Sequence, residues 1–357
     1  MNGGLFGMIP EYGVSARRTQ CRWVWLLGCI FTFAAVGWSV LIQFRDSRQG
    51  KAHKGSTSEL QRQAYRSRRH YTGDPASYEF TLQPPASLCP DTMAAERMST
   101  GDTFVVAVHS APHHFRFRST IRDTWARDAR FPLDNGRRAV VVFVMGKPAA
   151  SPKSYETQVK IASEAAVHKD IVQGTFIGSY TSVPRLNILM LKWASLSCPQ
   201  ASYLVKVSDD SFVNMKHMRD TFRDVAFRSS VIYAHVYRKM SVWNGHRLKV
   251  VKDTICVSCG YAVSMDLVPR LFNESVGGSL TSMEGLFWRA SRDPSFPVSV
   301  VNMREFSSLR GGAGTGCDIR SAITSHQLEA QDMLAIWRNL HNASKSCNES
   351  RPAFSLF

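Results

Sequence analysis

The sequence has few acidic residues for its length. Its 357 residues include 28 Asp and Glu against 44 Lys and Arg, which gives a formal net charge of +16 at pH 7. An excess of basic residues is one property of nucleic-acid-binding proteins. Charged residues make up only 20% of the chain and hydrophobic residues 44%, so most of the chain is expected to fold. No internal repeat is visible, and the length allows one large domain or two small ones.

One long stretch lacks charge altogether. Trp23–Ile42 contains no Asp, Glu, Lys or Arg, and it matches the roughly 20 apolar residues that span a bilayer. A cleaved signal peptide would have a shorter apolar core and a small-residue cleavage site, and neither is evident. We therefore predict an uncleaved transmembrane anchor at 23–43. Basic residues lie on both sides of it, so the positive-inside rule alone does not decide the orientation.

Cysteines and glycosylation sequons indicate the orientation. Six cysteines follow the apolar stretch, at Cys89, Cys198, Cys256, Cys259, Cys317 and Cys347, as expected for disulfides in an oxidising compartment. Three N-glycosylation sequons begin at Asn273, Asn342 and Asn348. We predict a cytosolic tail at 1–22, a basic flexible stem at 44–88 and a lumenal domain at 89–357. This topology argues against nucleic acid as a partner.

Strand patterns alternate with helix patterns in the lumenal part. Buried strands are predicted at Phe104–His109, Ala139–Met145 and Asp170–Phe176 and from Tyr203 onwards, and helices at Arg118–Asp128, Tyr155–His168, Val183–Leu196 and Leu328–His341. Such alternation favours βαβ units and a largely parallel sheet.

Two groups of charged residues are candidates for a ligand site. Asp209 and Asp210 follow the strand that begins at Tyr203. Open α/β sheets bind ligands at the carboxyl ends of strands, and two carboxylates there suit a divalent cation that also binds a diphosphate. A helix N-cap followed by a first-turn acid is the alternative. Arg118 and Arg122 share a helix face and suit a diphosphate or uracil-ribose ligand, although an ordinary amphipathic helix has the same pattern.

Several short motifs, taken in order, resemble the β-1,3-galactosyltransferase family. They are R-x-x-I-R-x-T-W at Arg118–Trp125, an apolar strand ending at Gly146, W-x-x-x-x-C-P at Trp193–Pro199, K-x-D-D-D-x-F-V-N at Lys206–Asn214 and C-x-x-x-G-Y-x-x-S at Cys256–Ser264, with single matches at Glu164, Asp170, Ser179, Tyr180, Cys317, His326, Met333, Trp337 and Cys347. The resemblance covers about 89–347. It leans towards the branch that builds the glycosaminoglycan linker.

The resemblance implies a Golgi enzyme with an α/β GT-A fold, a Rossmann-like mixed sheet flanked by helices that binds a nucleotide sugar. It implies UDP-galactose as donor, Mn²⁺ or another divalent cation, and a glycan acceptor on a glycoprotein, glycolipid or proteoglycan. The metal ligands map onto Asp210 and His326, and a carboxylate with an imidazole suits manganese. His326 by itself would otherwise be taken for a capping or surface residue. Donor contacts are expected from Arg118, Arg122, Lys206, Ser208 and Asp209.

The sequence departs from the family at the general base of the inverting reaction. The family has an Asp in an E-D-V motif, and this chain has Ser282-Met-Glu-Gly285. In one register Gly285 replaces the base, and in the other Glu284 does. Glu284 is the only carboxylate in that stretch, so we expect it to be the base. Ser208 replaces the first Asp of the triplet, which predicts weaker metal binding, and Leu186 stands where a Lys is usual.

Two disulfides are expected, and a third pair of cysteines stays open. Cys317 and Cys347 bracket the last predicted helix and are expected to pair, and Cys89 with Cys198 is the next expectation. Cys256-x-x-Cys259 has no second CxxC to complete a zinc site and no thioredoxin frame around it. Structural disulfides, to each other or elsewhere, are therefore expected.

We expect a single-pass type II Golgi β-1,3-galactosyltransferase. One alternative is a β-1,3-N-acetylglucosaminyltransferase of the same family, because the motifs do not separate the two donors. Another is a catalytically silent lumenal protein that binds glycans or acts like a chaperone, which the changes at Ser208 and Gly285 suggest. A third is a basic heparin-binding membrane protein without a nucleotide site.

Overall fold

The computed structural model describes residues 78–89, 103–130, 139–179, 182–225, 229–243, 248–277, 282–310 and 318–342. All of them belong to one compact unit, Ser67–Phe357. Within these ranges no helix is both long enough and apolar enough to cross a membrane. The predicted tail and anchor at 1–43, most of the predicted stem, Cys317, Cys347 and Asn348 lie outside the described residues.

The described residues form strands and helices in the following order. The strands are β1 Phe80–Leu82, β2 Phe104–His109, β3 Ala139–Lys147, β4 Ile171–Ile177, β5 Tyr203–Ser208, β6 Phe212–Val213, β7 Val231–Ala234, β8 Val236–Trp243, β9 Leu248–Ile255, β10 Tyr261–Ser264, β11 Ser299–Asn302, β12 Phe306–Arg310 and β13 Thr324–His326. The helices are α1 Phe115–Asp123, α2 Trp125–Arg130, α3 Ser154–His168, α4 Val183–Ser197, α5 Met215–Asp224, α6 Val268–Gly277, α7 Met283–Ser291 and α8 Ala330–His341.

A mixed eight-stranded sheet forms the centre, with the strand order β1-β4-β3-β2-β5-β10-β7-β11. The block β4-β3-β2-β5 is parallel, as the alternation of strands and helices predicts, and β10 runs antiparallel to β5. A smaller sheet with the order β12-β13-β6 and the β8–β9 hairpin complete the sheet structure of the described part. The fold class is therefore α/β with a mixed central sheet.

Apolar side chains pack on both faces of the central sheet. Phe104 and Val106 of β2 belong to one buried cluster, which also contains Trp125 of α2. Val105, between them, belongs to a second cluster with Trp193 of α4. Because successive side chains of a strand point to opposite faces, a strand covered on both sides is apolar throughout. All six residues of β2 are buried, which explains why this strand could be predicted from its sequence.

Two elements differ from the sequence-based expectation. The helix predicted at Arg118–Asp128 is divided at Thr124, whose hydroxyl donates a hydrogen bond to the Thr120 carbonyl at 2.7 Å. Side-chain bonds of this kind compete with the helical backbone pattern. In addition, β1 pairs with β4, although it lies within the segment predicted as stem. The folded part thus begins before residue 89.

Candidate active site

Asp209 and Asp210 lie in a tight turn directly after β5, at the carboxyl end of a central strand. The Asp209 amide donates to the His109 carbonyl at the end of β2 (3.0 Å), and the Ser211 amide donates to the Ser208 carbonyl (3.1 Å). These bonds fix the position at which the chain leaves the sheet. The predicted location of the two acids is confirmed, and it is the edge at which α/β sheets bind ligands.

The Asp209 side chain holds the loop between β2 and α1. Its Oδ2 accepts hydrogen bonds from the Ser110 hydroxyl (2.8 Å) and the Ala111 amide (3.3 Å). It also lies 2.8 Å from Nδ1 of His114. The hydrogen bond with Asp209 raises the pKa of His114, against the opposing effect of burial. Asp209 therefore positions this loop beside Asp210. Neither Ser110 nor His114 was singled out from the sequence, since nothing in their spacing identifies Asp209 as their partner.

Arg118 and Arg122 are inside the protein. Arg118 has 0% exposure, and it donates to the Glu164 carboxylate (2.7 Å from Nη2), to the Ser110 hydroxyl and to the Ala111 carbonyl. Arg122 donates to Glu164 (2.7 Å) and forms a bidentate pair with Asp170 (2.8 and 2.9 Å). These contacts favour a positioning role for both guanidiniums. Direct contact with a donor substrate stays a prediction.

Asp210 and His326 come together because β6 pairs with β13. The register sets Thr324 opposite Val213 and Ser325 opposite Phe212, which brings the end of β13 to the turn. The Leu328 amide donates to the Asp210 carbonyl (2.9 Å) and holds this arrangement. Burial and the charge of Asp209 raise the pKa of the Asp210 carboxyl, while His326 and Lys206 act in the opposite direction. The two predicted metal ligands are thus electrostatic neighbours.

The donor set fits a divalent cation in part. A carboxylate oxygen and an imidazole nitrogen are a combination that manganese accepts. Within the described ranges, no residue apart from Asp210 itself donates a hydrogen bond to the Asp210 side chain, so this partly buried carboxylate suits a cation. With Cys256 and Cys259 joined in a disulfide, the described residues include no cluster of three or more His, Cys, Asp or Glu side chains that could hold a metal ion. The remaining positions would have to come from substrate oxygens or water.

Lys206 and Ser208 complete this end of β5. Burial lowers the pKa of Lys206 to about 8, although Asp210 and Asp209 oppose the shift. The Lys206 ammonium lies 3.4 Å from the Ser208 hydroxyl and 3.5 Å from the Val257 carbonyl. A positive charge therefore lies close to the two acids, and the hydroxyl of Ser208 occupies the place of the missing acid.

Glu284 lies in the first turn of α7, after the N-cap Ser282, whose hydroxyl accepts from the Gly285 amide (3.0 Å). Its Oε1 accepts a hydrogen bond from the Ile255 amide (3.1 Å). Ile255 ends β9 and leads through the turn at 256–260 into β10, whose first residue Tyr261 pairs with Lys206. Glu284 is therefore held by a segment that continues to the carboxyl end of β5.

Two disulfides are present in the described part of the chain, Cys89–Cys198 and Cys256–Cys259. The first pairing is the one expected from the sequence. The second shows that Cys256 and Cys259 pair with each other, which the sequence left open.

Asn273 and Asn342 are both exposed, and their glycosylation stays a prediction. Leu186 is buried in an apolar cluster, so this position has no charge to contribute.

A family model described as galactosyltransferase matches residues 116–290, and β-1,3-galactosyltransferase 5 of Mus musculus aligns with 68% of this chain and 80% of its own length at 22% identity. The chain belongs to the galactosyltransferase family. It is a glycosyltransferase. The match includes Asp210 and Glu284 and ends before His326, which the fold alone brings to Asp210.

Two other relatives of this galactosyltransferase-family member align over shorter stretches and at higher identity. β-1,3-Galactosyltransferase 4 of Homo sapiens is 32% identical over 40% of this chain and 38% of that protein. Lactosylceramide 1,3-N-acetyl-β-D-glucosaminyltransferase of Mus musculus is 31% identical over 31% of this chain and 29% of that protein. The relatives therefore include two sugar specificities.

Proposed function

We propose that this glycosyltransferase transfers galactose from UDP-galactose to an acceptor sugar in β-1,3 linkage, with inversion at the anomeric carbon. The observation that carries the proposal is the meeting of Asp210 and His326 at the carboxyl end of β5. The names of the relatives, β-1,3-galactosyltransferases 5 and 4, support the sugar and the linkage. The mixed central sheet supports a GT-A fold.

Metal binding and proton transfer are assigned to different residues of the site. Asp210 and His326 would hold a divalent cation such as Mn²⁺, which when bound neutralises charge on the departing diphosphate. Glu284 accepts the proton of the acceptor hydroxyl while that oxygen bonds to the anomeric carbon. The bond from this carbon to the diphosphate oxygen breaks, and its electron pair leaves with UDP. Lys206 supplies a further positive charge at the strand end.

A second donor, UDP-N-acetylglucosamine, is favoured by one observation. A relative named as an N-acetylglucosaminyltransferase is 31% identical to this chain over 111 residues, a level similar to that of β-1,3-galactosyltransferase 4. A catalytically silent, glycan-binding function is the other candidate, because Ser208 and Gly285 each lack a carboxylate that the family pattern contains.

Donor turnover separates these functions. Purified full-length protein is incubated with Mn²⁺ and either UDP-galactose or UDP-N-acetylglucosamine, with a panel of acceptor sugars, and UDP release is measured. We expect turnover with UDP-galactose. Glu284→Gln should lower kcat about 10²–10⁴-fold, as loss of a general base does. Asp210→Asn should lower the activity and raise the Mn²⁺ concentration needed for half-maximal activity. The control is Asp220→Asn, a partly exposed acid of α5 that pairs with Lys216.

Each outcome has a consequence. Activity that falls in Glu284→Gln and Asp210→Asn but not in Asp220→Asn supports both assignments. Full activity in Glu284→Gln overturns the choice of base. Binding of UDP without turnover of either donor favours the silent member, and absence of UDP binding overturns the nucleotide-sugar assignment.

We further propose a single-pass type II topology in the Golgi membrane, with the catalytic domain in the lumen. Support comes from the uncharged stretch Trp23–Ile42 and from the sequons at exposed Asn273 and Asn342. Endoglycosidase treatment should shift the mass of the cell-expressed protein, and Asn273→Gln with Asn342→Gln should reduce that shift. A protein without any glycan would contradict this topology.

A further inference from the structure

The turn at 256–260 places a disulfide against one of the two proposed metal ligands. Cys256 and Cys259 are joined, and Sγ of Cys259 lies 3.7 Å from Nε2 of His326. Cys259 and His326 are both buried, and Cys256 is partly exposed. The proposed transfer reaction assigns no role to these sulfurs. The mechanism therefore leaves unused a pair of sulfurs of which one, that of Cys259, lies beside His326.

Hydrogen bonds hold this turn independently of the disulfide. The Cys256 amide donates to the His235 carbonyl (2.9 Å), and the Thr324 hydroxyl donates to the Cys259 carbonyl (2.6 Å). Thr324 and His326 belong to the same strand, β13. Opening the disulfide would thus leave Cys259 beside His326, because the backbone contact between the turn and β13 does not depend on the sulfur–sulfur bond.

The distance between sulfur and nitrogen is that of two ligands of one zinc ion. Tetrahedral zinc has Zn–S bonds of about 2.3 Å and Zn–N bonds of about 2.0–2.1 Å, so two such ligands lie roughly 3.5 Å apart. The observed separation between Cys259 Sγ and His326 Nε2 is 3.7 Å. C-x-x-C is the spacing of a zinc-binding cysteine pair. A second pair in the sequence is not needed, since the fold supplies the imidazole.

We propose that reduction of the Cys256–Cys259 disulfide creates a binding site for a thiophilic divalent cation such as Zn²⁺, with Cys256, Cys259 and His326 as ligands and water in the fourth position. With a trialkylphosphine as reductant, one disulfide, one phosphine and one water give two thiols and one phosphine oxide. The thiols release their protons when the metal binds. The site rests on the geometry of this turn. Only its consequence, withdrawal of His326 from Asp210 and inhibition of transfer, rests on the proposed function.

Cobalt is the probe, because thiolate ligation gives Co²⁺ a charge-transfer absorption in the near ultraviolet. Purified full-length protein is titrated with Co²⁺ before and after treatment with a trialkylphosphine, and then Zn²⁺ is added. Cys89–Cys198 is buried in the core, so the partly exposed Cys256 is the more accessible site for the reductant. Alkylation and peptide mass spectrometry establish which disulfide has opened.

We expect the absorption only after reduction, with loss on addition of Zn²⁺. It should persist in Ser258→Ala, a change within the same turn, and disappear in Cys256→Ser and Cys259→Ser. His326→Ala should weaken Co²⁺ binding at least tenfold. No absorption once mass spectrometry shows Cys256 and Cys259 reduced, or an absorption that survives both cysteine substitutions, overturns the proposal. Metal binding in a protein that transfers no sugar would leave this site standing while the proposed function fails.

Discussion

The buried pair between Glu164 and Arg118 should be among the most sensitive points of the fold. Glu164→Gln keeps the shape of the side chain and removes its charge. The carboxylate receives N–H donors from both Arg118 and Arg122. Arg122 would still have the bidentate contact with Asp170, whereas Arg118, with 0% exposure, would lose its one acidic partner within the described ranges.

The magnitude follows from that burial. Removing one member of a buried ion pair costs about 3–5 kcal/mol, because the other charge stays out of water without compensation. For a domain of this size such a loss lowers Tm by roughly 6–20 °C. Thermal unfolding followed by circular dichroism measures the shift. Glu156→Gln is the matched control on the same helix α3, since Glu156 pairs with Lys160 on the surface, and exposed pairs contribute little.

Acid provides a second check on the same pair. Burial raises the pKa of Glu164, but the hydrogen bonds and charges of Arg118 and Arg122 outweigh it and hold the pKa below its usual value. A carboxyl whose pKa is lower in the folded state adds stability above its unfolded pKa and loses it as pH falls through the folded pKa. The difference in Tm between wild type and Glu164→Gln should therefore shrink in acid. Equal Tm values for Glu164→Gln and Glu156→Gln at neutral pH would refute the reasoning.

Three further predictions concern single positions. Cys198→Ala should lower the free energy of unfolding by about 2–5 kcal/mol in a denaturant titration, because Cys89–Cys198 closes a loop with a sequence separation of 109; an unchanged midpoint would contradict this. The rate of transfer should decline above pH 8 as Lys206, whose pKa burial lowers to about 8, loses its charge, and Lys206→Arg should remove that decline from the pH profile. Gly260→Ala should destabilise the fold by about 1–3 kcal/mol, since Gly260 has φ +97° and an added Cβ would lie 3.2 Å from the Lys206 carbonyl oxygen; a Tm equal to that of wild type would show that the turn tolerates a side chain.

Strands that are apolar throughout were predictable from sequence, and so were the helices α3, α4 and α8. The strand at Phe104–His109 was predicted with its correct bounds, because a strand buried on both faces leaves a continuous apolar run. The three-residue β1 was missed, since Phe80–Leu82 is too short for a periodic pattern and lies in a polar segment. Its place in the sheet comes from pairing with β4, a contact that no local pattern encodes.

Some residues of the site could likewise be predicted from the sequence, whereas their contacts with one another could not. Asp209 and Asp210 could be located because they follow a recognisable strand. Arg118 and Arg122 could be placed on one helix face, but their spacing does not tell which acid each one meets. Glu164 belongs to α3, and Asp170 is the residue directly before β4. The acidic partners of the two arginines therefore depend on how α1 and α3 pack against the sheet. The contact between Cys259 and His326 depends likewise on β13 reaching the turn before β10.

The pairing of β6 with β13 also determines how early the site can form during protein synthesis, because β13 is synthesised long after β6. His326 follows Asp210 by about 116 positions, so at a synthesis rate of about 5–20 residues per second roughly 6–23 seconds separate their emergence. Until then the two-residue β6 lacks the partner strand that it has in the finished fold. A nascent chain interrupted after α7 would contain the aspartates and Glu284 but not the imidazole. Truncated products of this kind would offer an unpaired strand edge to chaperones and would lack one of the two proposed metal ligands.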